Sequence, residues 1–126
     1  MGKPKILLIE DDPVMTKILT VRLKINDFDI VTATEGEEGL TKARLEAPDL
    51  IIQDLMISNI DGFELCRMIK FDEELKKIPI IIYSSLYYEK DKKKAFDCGA
   101  NDYFVKPNDL EKIINRIKDL LNEKNS

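Results

Sequence analysis

Residues 48–62 read PDLIIQDLMISNIDG, and the fold turns on how they are parsed. Leu50–Gln53 (LIIQ) is a nearly continuous aliphatic run between Pro48-Asp49 and Asp54, of strand length. An apolar run without polar alternation is the pattern of a parallel strand covered on both faces. Asp61 and Glu64 then have the spacing of a capping box, which opens a helix at Gly62. A strand ending in an acid, a turn and a helix make one βα unit.

Working outward, the same unit occurs five times with no linker between copies. Strands are predicted at about residues 5–10, 28–33, 49–54, 79–84 and 102–105, and helices at about 13–26, 35–47, 62–72, 88–98 and 109–123. Asp12-Pro13 pairs an N-cap acid with proline at the first helical position. Thr34 with Glu37 and Asn108 with Glu111 repeat the capping-box spacing, and Gly99 suits a helix stop. In the last helix Leu110, Ile113, Ile114, Ile117, Leu120 and Leu121 form one apolar stripe, interrupted at Asn115. A regular (βα)5 chain implies an α/β, doubly wound, three-layer sandwich around a five-stranded parallel sheet.

The composition narrows the function. At 126 residues, 44% hydrophobic and 35% charged, the chain is one domain with a single well-formed core, residues 1–126. No apolar run approaches the roughly 18–20 residues of a membrane span, and Met1-Gly2-Lys3-Pro4 leaves no room for a secretion signal, so a cytoplasmic protein without membrane insertion is expected. A net charge of −4 argues against direct nucleic-acid binding. Cys66 and Cys98 read as small buried hydrophobes. The absence of histidine excludes His-based nucleophilic catalysis and His-ligated zinc. It also means that in any phosphoryl relay this chain stands on the carboxylate side.

Four strands end in chemically active side chains. Glu10 and Asp11 follow KILLI, Asp54 follows LIIQ, Ser84 follows IIIY and Lys106 follows YFV. In an open parallel sheet, ligands bind at the carboxyl ends of the strands, so these groups meet in one pocket. Asp12 has a sufficient job as N-cap; Glu10 and Asp11 are left without one. Alone they would be solvated turn acids, and Lys106 an ordinary surface lysine. With Asp54 on another central strand, the acids repel unless a cation neutralises them. A hard ion with oxygen ligands, Mg²⁺ above all, suits such a set. Asp54 becomes the candidate nucleophile for a phosphoryl group.

The segments ILLIEDDP (6–13), PDLIIQDLMISNIDG (48–62), PIIIYSS (79–85) and GANDYFVKP (99–107) resemble, in order and across nearly the whole chain, the receiver domain of bacterial two-component response regulators. The resemblance implies strand order 2-1-3-4-5, an order that general fold knowledge already assigns to a chemotaxis receiver. It implies Asp54 as phosphoacceptor and Glu10, Asp11, Asp54 and the Met56 backbone carbonyl as ligands of Mg²⁺, with Mn²⁺ as the alternative ion. Ser84 and Lys106 would hold the phosphoryl group, with Ser84 and Tyr103 as the switch pair and a cis Lys106–Pro107 bond. Partners implied are a sensor histidine kinase or histidine phosphotransfer protein, and a downstream protein target or a missing output domain. The activity implied is self-catalysed phosphoryl acceptance and slow autodephosphorylation rather than enzymatic turnover.

Some features depart from the pattern or stay open. Ser58 stands where the family often has proline, and Tyr83, Tyr87 and Tyr88 are unusual beside Ser84. Lys90, Lys92, Lys93 and Lys94 fit a solvated helix face and a docking site equally well. A Mg²⁺-dependent aspartyl-phosphate phosphatase is the enzyme alternative; it would usually carry an acid where Met56 stands, and an inserted cap segment. A flavin-binding carrier would need a phosphate-cradling first loop, which Glu10-Asp11-Asp12 repels. No output domain follows residue 126, so the expectation is a stand-alone receiver or a piece of a longer regulator, with Asn122–Ser126 as a natural end or a linker stub.

Overall fold

The computed structural model describes residues 2–124; Met1, Asn125 and Ser126, at the two ends discussed above, lie outside the described residues. Five strands and five helices alternate: β1 (Lys5–Ile9), α1 (Pro13–Ile25), β2 (Asp29–Ala33), α2 (Gly36–Glu46), β3 (Leu50–Gln53), α3 (Gly62–Lys70), β4 (Ile80–Ser84), α4 (Glu89–Asp97), β5 (Asp102–Val105) and α5 (Leu110–Lys124). The strands pair in parallel in the order β2-β1-β3-β4-β5. Among the described residues, no helix is long and apolar enough to cross a membrane.

The sheet separates two apolar layers. Leu7, Ile9, Ile51, Ile80 and Ile82 face Ala43, Leu65, Cys66, Ile69 and Ala95 of α2, α3 and α4. The alternate residues Ile6, Leu8, Leu50, Ile52, Ile81 and Tyr83 face Leu19 and Leu23 of α1 and Ile113, Ile114 and Ile117 of α5. β1, β3 and β4 are covered on both sides, which is why they carry no polar alternation. Full burial of each such isoleucine stabilises the fold by about 1.5–3 kcal/mol relative to exposure.

Register sets the geometry of the upper edge. Ile9 pairs with Gln53, so Glu10 and Asp54 leave adjacent strands at the same height. The Asp54 N–H donates to Ile9 O at 3.1 Å and the Glu10 N–H to Ala33 O at 2.9 Å, carrying the ladder one step past the strand ends. On the other side Ser84 pairs with Val105, and the Lys106 N–H donates to Ser84 O at 2.9 Å.

Helix ends agree with the sequence reading in part. Asp12 caps α1 by accepting the Val14 N–H, with Pro13 in the first turn. Gly99, at φ 105°, closes the turn after α4, in a conformation that disfavours side chains. Asp61 caps α3, but through the N–H of Phe63, and Glu64 lies 3.7 Å from Arg67. Two predicted capping boxes are corrected. At α2 the carboxylate reaching back to the Thr34 N–H belongs to Glu38, at 2.7 Å, while the Glu37 N–H donates to Asn59. The reason is tertiary: Glu35 bridges to Ser58, which shifts the helix start by one residue. At α5 the helix begins at Leu110, and Glu111 pairs with Arg22 of α1 at 2.9 Å instead of serving Asn108.

Candidate functional site

Glu10 and Asp11 after β1, Asp54 after β3, Ser84 at the end of β4 and Lys106 after β5 all stand at the carboxyl edge of the sheet. Glu10 is 2% exposed and Asp54 5%, burial seldom seen for carboxylates without a partner. The partner is Lys106, whose ammonium lies 2.5 Å from Glu10 Oε1 and 2.9 Å from Asp54 Oδ2. Asp54 is held at both oxygens, since Oδ1 accepts the Met56 N–H at 3.2 Å. These two bonds fix the orientation of the carboxylate. The ladder bond from the Lys106 N–H to Ser84 O anchors the lysine backbone beside β4, and the Lys106–Pro107 bond that follows is cis.

Burial pushes the Glu10 carboxyl above the ordinary range; the hydrogen bonds from Lys106 and Asp12 pull it back only partly. Burial alone would depress the Lys106 ammonium, but its bonds to Glu10 and Asp54 outweigh that and raise it. The lysine is therefore firmly charged. Glu10 also has a local task that the sequence reading missed, because its Oε2 accepts the Asp12 N–H at 3.1 Å.

Glu10, Asp11 and Asp54 each present a carboxylate oxygen, and all three oxygens lie within 4.8 Å of one another. Oxygen donors of this hardness suit Mg²⁺ or Mn²⁺ rather than a soft metal. Met56, at the mouth of the pocket, is 56% exposed, and its sulfur accepts a 3.6 Å contact from the Ser85 hydroxyl.

Ser84 is fully buried and its hydroxyl oxygen accepts the Leu86 N–H at 3.2 Å. Tyr103 is buried as well, and its hydroxyl donates to Leu86 O at 2.6 Å. Desolvation of that ring pushes its phenol up to about 12. The ring is thus packed under the loop that follows β4 and tied to it through its hydroxyl.

The response regulator receiver domain family matches residues 6–118. The chain belongs to this family. The DNA-binding dual master transcriptional regulator RpaA of Synechocystis is 37% identical over 118 residues, covering 94% of this chain and 49% of that protein. The chain spans about half the length of the curated relatives it matches. Among solved structures, a two-component response regulator from Clostridium difficile superposes with a TM-score of 0.91 at 28% identity, covering 98% of this chain and all of that one. The signal receiver domain of a signal transduction histidine kinase from Syntrophus aciditrophicus gives 0.88 at 31% identity, covering 95% of this chain and 91% of that one.

As a receiver domain, the chain is a phosphoacceptor module of two-component signalling, and nothing in these likenesses favours the phosphatase alternative. The matched relatives are regulators rather than enzymes. Receiver domains bind a divalent metal at an acidic pocket, and the acids for one are gathered here.

The unusual tyrosines separate into two kinds. Tyr83 is a core residue whose hydroxyl donates to Asn108 O at 2.9 Å. Tyr87 and Tyr88 are exposed and stacked, 4.6 Å between ring centroids. The α4 lysines are mostly engaged locally: Lys92 with Glu89, Lys93 with Asp97, and Lys94 over the Phe63 ring. Sequence reasoning passed over Gln53, which is fully buried beside Asp54. Its signal was a polar residue closing an otherwise aliphatic strand.

Proposed function

We propose that the chain accepts a phosphoryl group on the Asp54 carboxylate from a phosphohistidine of a sensor histidine kinase or histidine phosphotransfer protein. The observation carrying this reading is the Asp54 carboxylate itself: buried, oriented at both oxygens, beside two further acids and one shared lysine. An Asp54 oxygen forms the new P–O bond as the donor's P–N bond breaks, its electron pair leaving with the imidazole. Lys106, already charged and 2.9 Å from Asp54, follows the charge onto the phosphoryl oxygens. Ser84 donates its hydroxyl to the same group. Glu10, Asp11, Asp54 and the Met56 carbonyl would hold Mg²⁺, or Mn²⁺ in its place, which when bound supplies positive charge to the transferring phosphoryl group.

The donor's approach is favoured by α1, where Pro13, Val14, Ile18 and Val21 line a shallow apolar groove that begins directly after the acids. Output follows the Ser84–Leu86–Tyr103 contacts to the surface formed by α4, β5 and α5. Phosphorylation draws Ser84 toward the phosphoryl group and stabilises the inward Tyr103, shifting an existing equilibrium. The chain acts on its own phosphorylation only and has no other turnover. The partner reading the signal is a downstream protein or an output domain of a longer regulator, reached without direct contact of residues 1–126 with nucleic acid. The protein acts in the cytoplasm.

Incubation with acetyl phosphate and Mg²⁺ tests this. Wild type should gain one phosphoryl group by intact mass, Asp54→Asn none, and chelation of Mg²⁺ should stop the gain. Full incorporation in Asp54→Asn would contradict the proposal.

A further inference from the structure

Gln53 ends β3 one residue before Asp54 and is completely buried. Its amide nitrogen donates twice, to Gly62 O at 2.9 Å and to Asp54 O at 3.3 Å. Those carbonyls mark the two ends of the loop between β3 and α3. The Gly62 N–H closes the same loop onto Leu55 O at 3.3 Å, and a Cβ on Gly62 would lie 2.4 Å from Leu55 Cα and O. Inside this closed loop stands Met56, whose N–H orients Asp54 Oδ1.

The other end of the same side chain is an anomaly. Gln53 Oε1 is, among the described residues, the one buried side-chain oxygen or nitrogen with no hydrogen-bond partner. An acceptor left unpaired in the interior destabilises the fold, a cost that leucine or methionine at this position would avoid. Two donors from one planar group, aimed at two carbonyls, are what neither those residues nor a hydroxyl can supply. The amide has one usable orientation, because a flip would set Oε1 against both carbonyls.

We propose that Gln53 is a positioning residue for the phosphoryl and cation site. Its amide clamps the Asp54 and Gly62 carbonyls and so fixes the loop that aims the Met56 N–H at Asp54 and carries the Met56 carbonyl. The inference rests on the reading of Met56 as a main-chain ligand, and removal of an outer partner of this kind typically weakens metal affinity about 10–100-fold.

The test is a Mg²⁺ titration of wild type, Gln53→Met and Gln53→Leu, followed by amide NMR shifts at residues 10, 11 and 54–62, with thermal unfolding alongside. Wild type should show a saturable shift. Both variants should need at least about tenfold more Mg²⁺ for half-saturation while unfolding within a few degrees of wild type. Amide exchange across the loop should be faster in both. A wild type without Mg²⁺-dependent shifts overturns the cation reading and this inference with it. A saturable wild type with unchanged half-saturation in the variants overturns the inference alone. Should neither variant fold, the wild-type Gln53 side-chain amide protons decide. Slow exchange and a shift on adding Mg²⁺ support the clamp, and exchange at the rate of a free amide without a shift overturns it.

Discussion

Lys106 neutralises two carboxylates that water scarcely reaches. In Lys106→Ala, two buried acids are left facing each other, and the variant should lose about 2 kcal/mol of stability in a chelator. The pH dependence follows from Glu10. Its carboxyl already titrates above the ordinary range because burial penalises the charge, and loss of the lysine pushes it further the same way. A group raised on folding stabilises while protonated and loses that contribution as pH rises through its folded value. The stability of Lys106→Ala in urea melts with a chelator should therefore fall more steeply than that of wild type as pH rises above the ordinary carboxylate range. Mg²⁺ should recover part of the loss. Equal pH slopes in the two proteins would contradict the shared-charge reading. Asp54, Asp11 and Lys106 could be picked out from sequence because each follows a strand end. Glu10's bond to the Asp12 N–H and the double donation by Gln53 could not, since both depend on side-chain directions that spacing does not encode.

Elements hold these residues through contacts distant in sequence. Gly62 stands where α3 meets the backbone of Leu55, and Gly62→Ala should cost about 1–3 kcal/mol by chemical denaturation, because the obstacle is main chain and cannot rotate away. A cost near zero would mean that the loop relaxes freely. The Tyr103 hydroxyl ties β5 to the loop before α4 through Leu86 O. Tyr103→Phe keeps the ring and removes the tie, so beryllofluoride, a phosphoryl mimic, should bind normally while inducing smaller NMR shifts in α4 and α5 than in wild type. Wild-type shifts would exclude a role for that hydrogen bond. The helix stretches were legible from apolar period and local caps, as at Asp12-Pro13. The starts of α2 and α5 were not, because the Glu35–Ser58 bridge and the Arg22–Glu111 pair involve partners more than twenty residues away.

At the scale of the whole molecule, the order β2-β1-β3-β4-β5 places Asp54 just past the central strand, between the acids that follow β1 and the hydroxyl that ends β4. This much was readable because strands buried on both faces leave uninterrupted aliphatic runs, and because the resemblance supplied an order that periodicity alone does not. The bond from the Tyr103 hydroxyl to Leu86 O was not readable, since spacing does not fix the ring's direction. The same arrangement governs the lifetime of the phosphorylated form. Met56 and Leu86 stand two residues beyond Asp54 and Ser84, and neither side chain holds a water by a strong hydrogen bond. Decay after donor removal should be slow, and faster in a Met56→Asn, Leu86→Glu double variant; equal rates would contradict water exclusion. The most direct measurement is chemical mapping of the phosphoryl group. The protein is phosphorylated with acetyl phosphate and Mg²⁺, reduced with borohydride, which converts an aspartyl phosphate to homoserine, and digested for mass spectrometry. Homoserine at position 54 and at no other aspartate is the predicted result, and homoserine at position 11 or 12, or unmodified Asp54 in a phosphorylated chain, would contradict it.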